Sequence, residues 1–123
     1  MKGDIIELTI PSKPDYISIA RLTSSVVGNN IGLNIDDIED IKVSIAEACI
    51  NALNKDDKIF INFDIEKDRL IMKVKNVFPC KDTELDMGKE IELGLLIIES
   101  LMDEVKFHEE GIEMIKYVED GNQ

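Results

Sequence analysis

Five polar residues in the middle of the chain, Asp40, Ser44, Glu47, Asn51 and Asn54, recur at three- and four-residue intervals. On an α-helix that spacing lines up one face, rotated by roughly 100° from the apolar stripe of the same segment. Glu47 and Asn51 then stand one turn apart. A carboxamide oxygen is a hard ligand suited to Mg²⁺, and a carboxylate can accept a proton or position an attacking group. Phosphoryl transfer asks for those two services. The same spacing also describes the solvated flank of an amphipathic helix, so the pair acquires meaning only from its neighbours.

Other reactive side chains have plainer explanations. Cys49 lies beside the apolar stripe and reads as a small buried hydrophobe, and Cys80, next to Pro79, has no His or basic cluster to activate it. Two cysteines are too few for a disulfide framework, and both are expected reduced. His108 ends a strand without a nucleophile or ligand set around it and is expected at the surface. The run Asp36-Asp37-Glu39-Asp40 opens a helix, where negative charge complements the macrodipole. Met72, Met87, Met102 and Met114 fall mostly on buried faces or in a loop and suggest core filling.

The elements that must position these residues follow from periodicity. Ile6, Leu8 and Ile10 alternate with polar residues as a half-buried strand closed by Pro11 and Pro14. Asp15 is positioned to cap a first helix through Val26, with Gly28-Asn29-Asn30 as its stop. Asn34 and Asp37 form a capping signature before Ile38, Ile41, Ile45, Ala48 and Ala52, a second helix of about five turns. Residues 58–63 and 70–74 make a hairpin about Glu66-Lys67-Asp68. Residues 77–90 show neither period and read as a surface loop suited to a lid. Leu93, Leu96, Ile97 and Leu101, extended by Leu95, Ile98 and Met102, predict a third helix buried nearly all round. A closing hairpin turns at Glu109-Glu110-Gly111. The order strand, helix, helix, hairpin, helix, hairpin predicts an α/β two-layer sandwich with a mixed, mainly antiparallel sheet.

Composition bounds the partners. The chain has 123 residues, 44% of them apolar, with 14 basic and 26 acidic side chains and a net charge of −12. One globular domain with its own core is expected. The carboxylate surplus repels phosphate backbones and anionic lipid, so neither direct nucleic-acid binding nor membrane association is expected. No run approaches bilayer-spanning length and Met-Lys-Gly-Asp opens no secretory signal, which points to the cytoplasm.

The neighbours of Glu47 and Asn51 supply a family. Glu47-Ala48-Cys49-Ile50-Asn51-Ala52, preceded by Asp36-Asp37-Ile38-Glu39-Asp40-Ile41-Lys42, closely resembles the N-box helix of the bacterial anti-sigma-factor serine protein kinases. These belong to the GHKL ATPases, with histidine kinases, gyrase and MutL. The resemblance continues in Pro11-Ser12-Lys13-Pro14-Asp15-Tyr16, in Ala20-Arg21-Leu22-Thr23, and in Leu93-Gly94-Leu95 followed by Glu99-Ser100-Leu101-Met102-Asp103-Glu104-Val105. It implies one histidine-kinase-like ATPase (Bergerat) domain over residues 1–123, an α/β (α+β) two-layer sandwich whose sheet is covered on one face by three helices. By resemblance, Glu47 is the catalytic base toward a substrate serine, and Asn51 coordinates Mg²⁺ on the ATP phosphates. Asn54, Asn76, Leu93 and Gly94 would join Asn51 around the nucleotide, and Arg21 falls where the sporulation member contacts its sigma factor.

The sequence departs from the family pattern in three places. The adenine motif Asp-x-Gly is replaced by Asn76-Val77-Phe78, which loses a charged acceptor and puts a ring where a glycine allows close approach. The glycine-rich segment reads Ile91-Glu92-Leu93-Gly94, keeping only the last glycine, and Glu92 adds negative charge beside a polyanion. The intervening segment is short, which implies a shortened ATP lid. Two functions stay open at this point. In one, an anti-sigma factor sequesters a sigma factor and uses Mg-ATP to phosphorylate a serine of an anti-anti-sigma protein. In the other, a degenerate pseudo-kinase keeps only the protein-binding surface, with weak or no ATP binding. A plain structural domain is a third reading. The resemblance also implies a homodimer.

Overall fold

The computed structural model describes residues 3–79 and 86–119. Strand β1 (Asp4–Pro11) leads through a 3₁₀ turn at Pro14–Tyr16 into helices α1 (Ile17–Ile31) and α2 (Ile35–Ala52). The hairpin β2 (Lys58–Ile65) and β3 (Arg69–Lys75) follows, then α3 (Asp86–Leu101) and the hairpin β4 (Glu104–Phe107) and β5 (Gly111–Tyr117). The strands form one sheet in the order β1-β2-β3-β5-β4.

Every pairing in that sheet is antiparallel, which corrects the expectation of a mixed sheet. A helical crossover such as the one from β3 through α3 to β4 makes its two strands parallel. Here β5 inserts between β3 and β4 and pairs with both, so the parallel strands never touch.

Strand alternation divides the sheet into two faces. Phe63, Met72 and Met114 are in register across β2, β3 and β5, fully buried on the helix side with Ile61, Val74 and Ile112 beside them. The other face carries polar side chains, with Lys73 paired to Asp64 at 3.1 Å and the ring of His108 3.4 Å from Glu113. His108 is exposed, as expected. Strand β1 forms one margin of the sheet, and its Ile5 and Ile6 are exposed.

Helix α2 lies at the centre of the helical layer, with α1 and α3 both packed against it. Its start follows the expected signature, because the Asn34 side chain accepts a hydrogen bond from the Asp37 backbone N–H at 2.8 Å. The first helix departs from expectation at both ends. Asp15 sits within the 3₁₀ turn and makes no cap, and α1 runs through Gly28 to stop at Gly32, whose φ of 91° is left-handed. Gly28 is there for space: a Cβ would stand 2.9 Å from Ile41 Cδ1, so its absence lets α1 and α2 close up.

Helix α3 begins at Asp86, inside the segment read as loop, because the polar, exposed Lys89 and Glu90 hide the period. Its stripe is also narrower than expected. Leu95 and Ile98 are buried with Met102 just beyond, whereas Leu93 and Leu96 are 60% and 54% exposed. Met72, Met102 and Met114 fill the core as expected; Cys80, the Met87 side chain and the lid at 80–85 lie outside the described residues. Cys49 is fully buried, and desolvation pushes its thiol up to about 12.

Candidate functional site

The polar stripe of α2 lies along its α3 side and changes environment from turn to turn. At its start, Lys116 of β5 is buried, with Nζ 3.3 Å from Asp40 and 3.8 Å from Asp37. The same ammonium donates to the carbonyl of Leu101, the last residue of α3, at 2.5 Å. One cation thus ties both helices to the sheet. The acidic run therefore does more than complement a helix dipole: Asp36 and Glu39 remain exposed, while Asp37 and Asp40 are half-buried partners of Lys116. Desolvation holds the Asp37 carboxyl above its ordinary value; Lys116 opposes that, and Asp40, Glu119 and Asp103 reinforce it.

Ser44 follows, fully buried, with an Oγ that has no hydrogen-bond partner among the described residues. One turn on, the half-buried Glu47 lays its carboxylate against Gly94 of α3. A Cβ at Gly94 would stand 2.9 Å from Glu47 Oε1, closer than real Cβ contacts allow. The glycine kept from the family's phosphate-cradling segment is what makes room for the proposed base.

Asn51 comes next and is only 8% exposed. Its Oδ1 accepts a hydrogen bond from Lys55 Nζ at 2.9 Å, while its Nδ2 is buried without a partner among the described residues. Leaving a buried donor unmade costs about 1–3 kcal/mol. Stability alone does not account for such a group on the central helix. Lys55 Nζ also donates to the carbonyl of Asn76 at 2.8 Å. Asn76 ends β3 in a left-handed conformation, φ 66°, which asparagine tolerates better than most residues, and its N–H donates to the Glu110 carbonyl. Lys55 therefore bridges the N-box helix to the adenine-motif turn.

The structure brings Glu47, Gly94, Asn51 and the Asn76 backbone into this region and leaves other expected residues outside it. Asn54 is off the stripe, because α2 ends at Ala52; it is exposed in the following turn with φ 66°, its N–H donating to Ser12 Oγ at 2.9 Å. The Leu93 side chain faces solvent. Arg21 is exposed on α1, as are Ile19, Leu22 and Val26 on another side of the helix. Phe78 is 38% exposed, whereas Val77 beside it is fully buried, so the ring does not fill the core. The sequence reading missed Lys55, although its place four residues after Asn51 is the spacing of facing side chains.

These groups suit a metal held jointly with phosphates. Asn51 Oδ1 already lies against a cationic ammonium, and the glycine contact keeps the neighbouring carboxylate uncrowded. Among the described residues no group of three or more His, Cys, Asp or Glu could hold a metal unaided. A Mg²⁺ ion characteristically takes one or two protein oxygens and completes its shell with phosphate and water.

An antiparallel sheet under three helices, with a glutamate of the central helix set against a glycine of the third and a buried asparagine one turn on, defines a histidine kinase-like ATPase domain. The sequence profile of that family, "Histidine kinase-like ATPase domain", matches residues 10–116. The chain belongs to this family. Among its relatives, the serine-protein kinase RsbW of Bacillus velezensis is 36% identical, with 94% of this chain and 86% of the relative covered. The RsbW proteins of Bacillus subtilis and Bacillus cereus (strain Q1) are 35% and 38% identical, covering 94% and 93% of this chain and 87% and 85% of theirs. No helix among the described residues is long and apolar enough to cross a membrane.

Proposed function

We propose that the protein is a cytoplasmic anti-sigma factor that sequesters a sigma factor and phosphorylates a serine of an anti-anti-sigma protein with Mg-ATP. The observation that carries this is the buried Asn51, whose Nδ2 has no partner among the described residues and whose Oδ1 holds a cation, one turn from a carboxylate kept uncrowded by Gly94. Asn51 Oδ1 would hold Mg²⁺, which when bound neutralises charge on the transferring phosphoryl group. Glu47 would accept the hydroxyl proton of the partner's serine, and its contact with Gly94 fixes where the carboxylate waits. Asn76 is poised by its turn near the adenine end. The exposed Ile19, Leu22 and Val26 share one side of α1 and form an apolar surface suited to a protein partner, with the exposed Arg21 on a different side of the helix. A homodimer accords with the family.

The pseudo-kinase reading drew on Asn76, Phe78, Ile91 and Glu92, of which Phe78 and Glu92 are exposed and Asn76 and Ile91 half-buried. The deciding experiment is calorimetric titration of Mg-ATP and Mg-ADP into the wild type and Asn51→Ala, with phosphotransfer to the anti-anti-sigma protein measured in parallel. Binding that requires Asn51, with a phosphoserine on the partner, is the expected result. Silence at millimolar nucleotide returns the protein to the pseudo-kinase reading.

A further inference from the structure

We propose that Lys55 is the resident counter-cation of this site: it occupies the metal-binding oxygen of Asn51 until a polyphosphate draws it away. The inference rests on the nucleotide reading above and adds a residue to it. Lys55 Nζ makes two short hydrogen bonds to carbonyl oxygens, 2.9 Å to Asn51 Oδ1 and 2.8 Å to Asn76 O. The first of these oxygens is the atom assigned to Mg²⁺. An ammonium and a divalent ion repel each other, so a metal arriving at Oδ1 must displace Nζ or share the oxygen with it.

The rest of the surroundings explain why a cation belongs there. Asn51 is nearly buried and its Nδ2 is unpartnered, so the carboxamide is held with Oδ1 outward instead of being turned by a better partner on the protein. Lys55 itself is exposed, on a four-carbon stem that allows its head to move to another acceptor nearby. Phosphate oxygens are stronger acceptors for an ammonium than neutral carbonyls, because a full negative charge adds charge–charge attraction to a bond already assisted by the donor's charge. Arrival of a triphosphate therefore moves Nζ from Asn51 to phosphate and opens Oδ1 to the metal in one exchange. Before that, the ammonium keeps free Mg²⁺ out.

Two consequences act in the same direction on one measurable ratio. With Lys55 present, metal entry must overcome a competing cation, and metal-free ATP has a positive group to bind. Removing the charge costs both forms a phosphate contact but costs metal-free ATP more, because its phosphates lack the metal's neutralising charge. Nucleotide affinity is therefore measured by calorimetry in Mg²⁺ and in EDTA for the wild type, Lys55→Met, Lys55→Gln and Asn51→Ala, with thermal melts as the folding control. The expected result is that the preference for Mg-ATP over metal-free ATP rises by about tenfold in Lys55→Met and Lys55→Gln and collapses toward unity in Asn51→Ala. Lys55→Gln retains a donor for the Asn76 carbonyl, so it keeps the result interpretable should the Met variant fail to fold. Nucleotide binding that needs Asn51 with an unchanged Mg²⁺ preference in both Lys55 variants overturns the role of Lys55 and leaves the nucleotide reading intact. Absence of binding by the folded wild type overturns both.

Discussion

Gly94→Ala separates stability from chemistry at the closest contact of the site. Gly94 lies inside α3 with no positive φ, so alanine suits its backbone. Replacing an interior helical glycine by alanine stabilises by about 1 kcal/mol, or about 3–5 °C in Tm for a domain of this size. The added Cβ would lie 2.9 Å from Glu47 Oε1 and nothing else is as near, so the displaced atom is the end of a flexible side chain. That carboxylate must retreat by roughly half an ångström or more to reach ordinary contact distance, at little cost to folding. A general base contributes about 10²–10⁴ in rate and depends on hydrogen-bond reach, so serine phosphotransfer is expected to fall about 10- to 100-fold while Tm rises. Radiolabel transfer to the partner and a thermal melt measure the two effects on one preparation. Glu47→Gln and the double variant complete a cycle: if alanine acts through Glu47, adding it to Glu47→Gln changes phosphotransfer no further. Undiminished transfer in a stabilised Gly94→Ala, or a full extra loss in the double variant, refutes the assignment of Glu47 as a base positioned by this contact.

The remaining predictions bear on stability, titration and reactivity. Asn51→Ala is expected to leave urea stability within about 1 kcal/mol of wild type despite the burial of that side chain, since it removes an unmet donor; a loss above 3 kcal/mol would make Asn51 structural. Lys116→Met is expected to cost about 1–3 kcal/mol, below the range for fully buried pairs because Asp37 and Asp40 retain access to water, and equilibrium unfolding checks it. The raised carboxyl of Asp37 favours the folded state below its ordinary value of 3.8, and that contribution is lost as pH climbs through the higher native value. The stability of Asp37→Asn relative to wild type should consequently rise as pH climbs above the ordinary value of 3.8, and a flat or falling difference in urea titrations contradicts the assignment. With its thiol pushed up to about 12, Cys49 should resist alkylation at pH 8 in the folded protein and react on unfolding, as peptide mapping would record.

Much of this architecture is legible in the sequence because single residues dictate it. The Asn34 cap, the two hairpins and the inward rows of β2 and β3 each follow from local spacing. The misses arise where distant parts of the chain decide. Gly28 reads as a stop signal, yet its lack of a side chain serves the packing of Ile41, thirteen positions on. Leu93 and Leu96 read as core because hydrophobicity alone cannot say which side of a helix the sheet will cover. Within the site, the Glu47 and Asn51 pair is visible as periodicity, and Gly94 as a motif remnant. Their meeting across α2 and α3 is tertiary, as are the reach of Lys55 to Asn76 and of Lys116 to Asp40. A lysine in a strand or a turn gives no sign of which carbonyl it will cap.

The exposed margin at β1 bears on how the protein must be handled. A border strand offers an unzipped row of amides to any similar strand, and here Ile5 and Ile6 add stickiness beside Asp4 and Glu7. The molecule's guard against such ribbon growth is mutual repulsion from its net charge of −12. Acidified or very salty buffers weaken that repulsion while sparing the hydrogen-bonding template, so turbidity under those conditions would report strands joining rim to rim before the interior has melted.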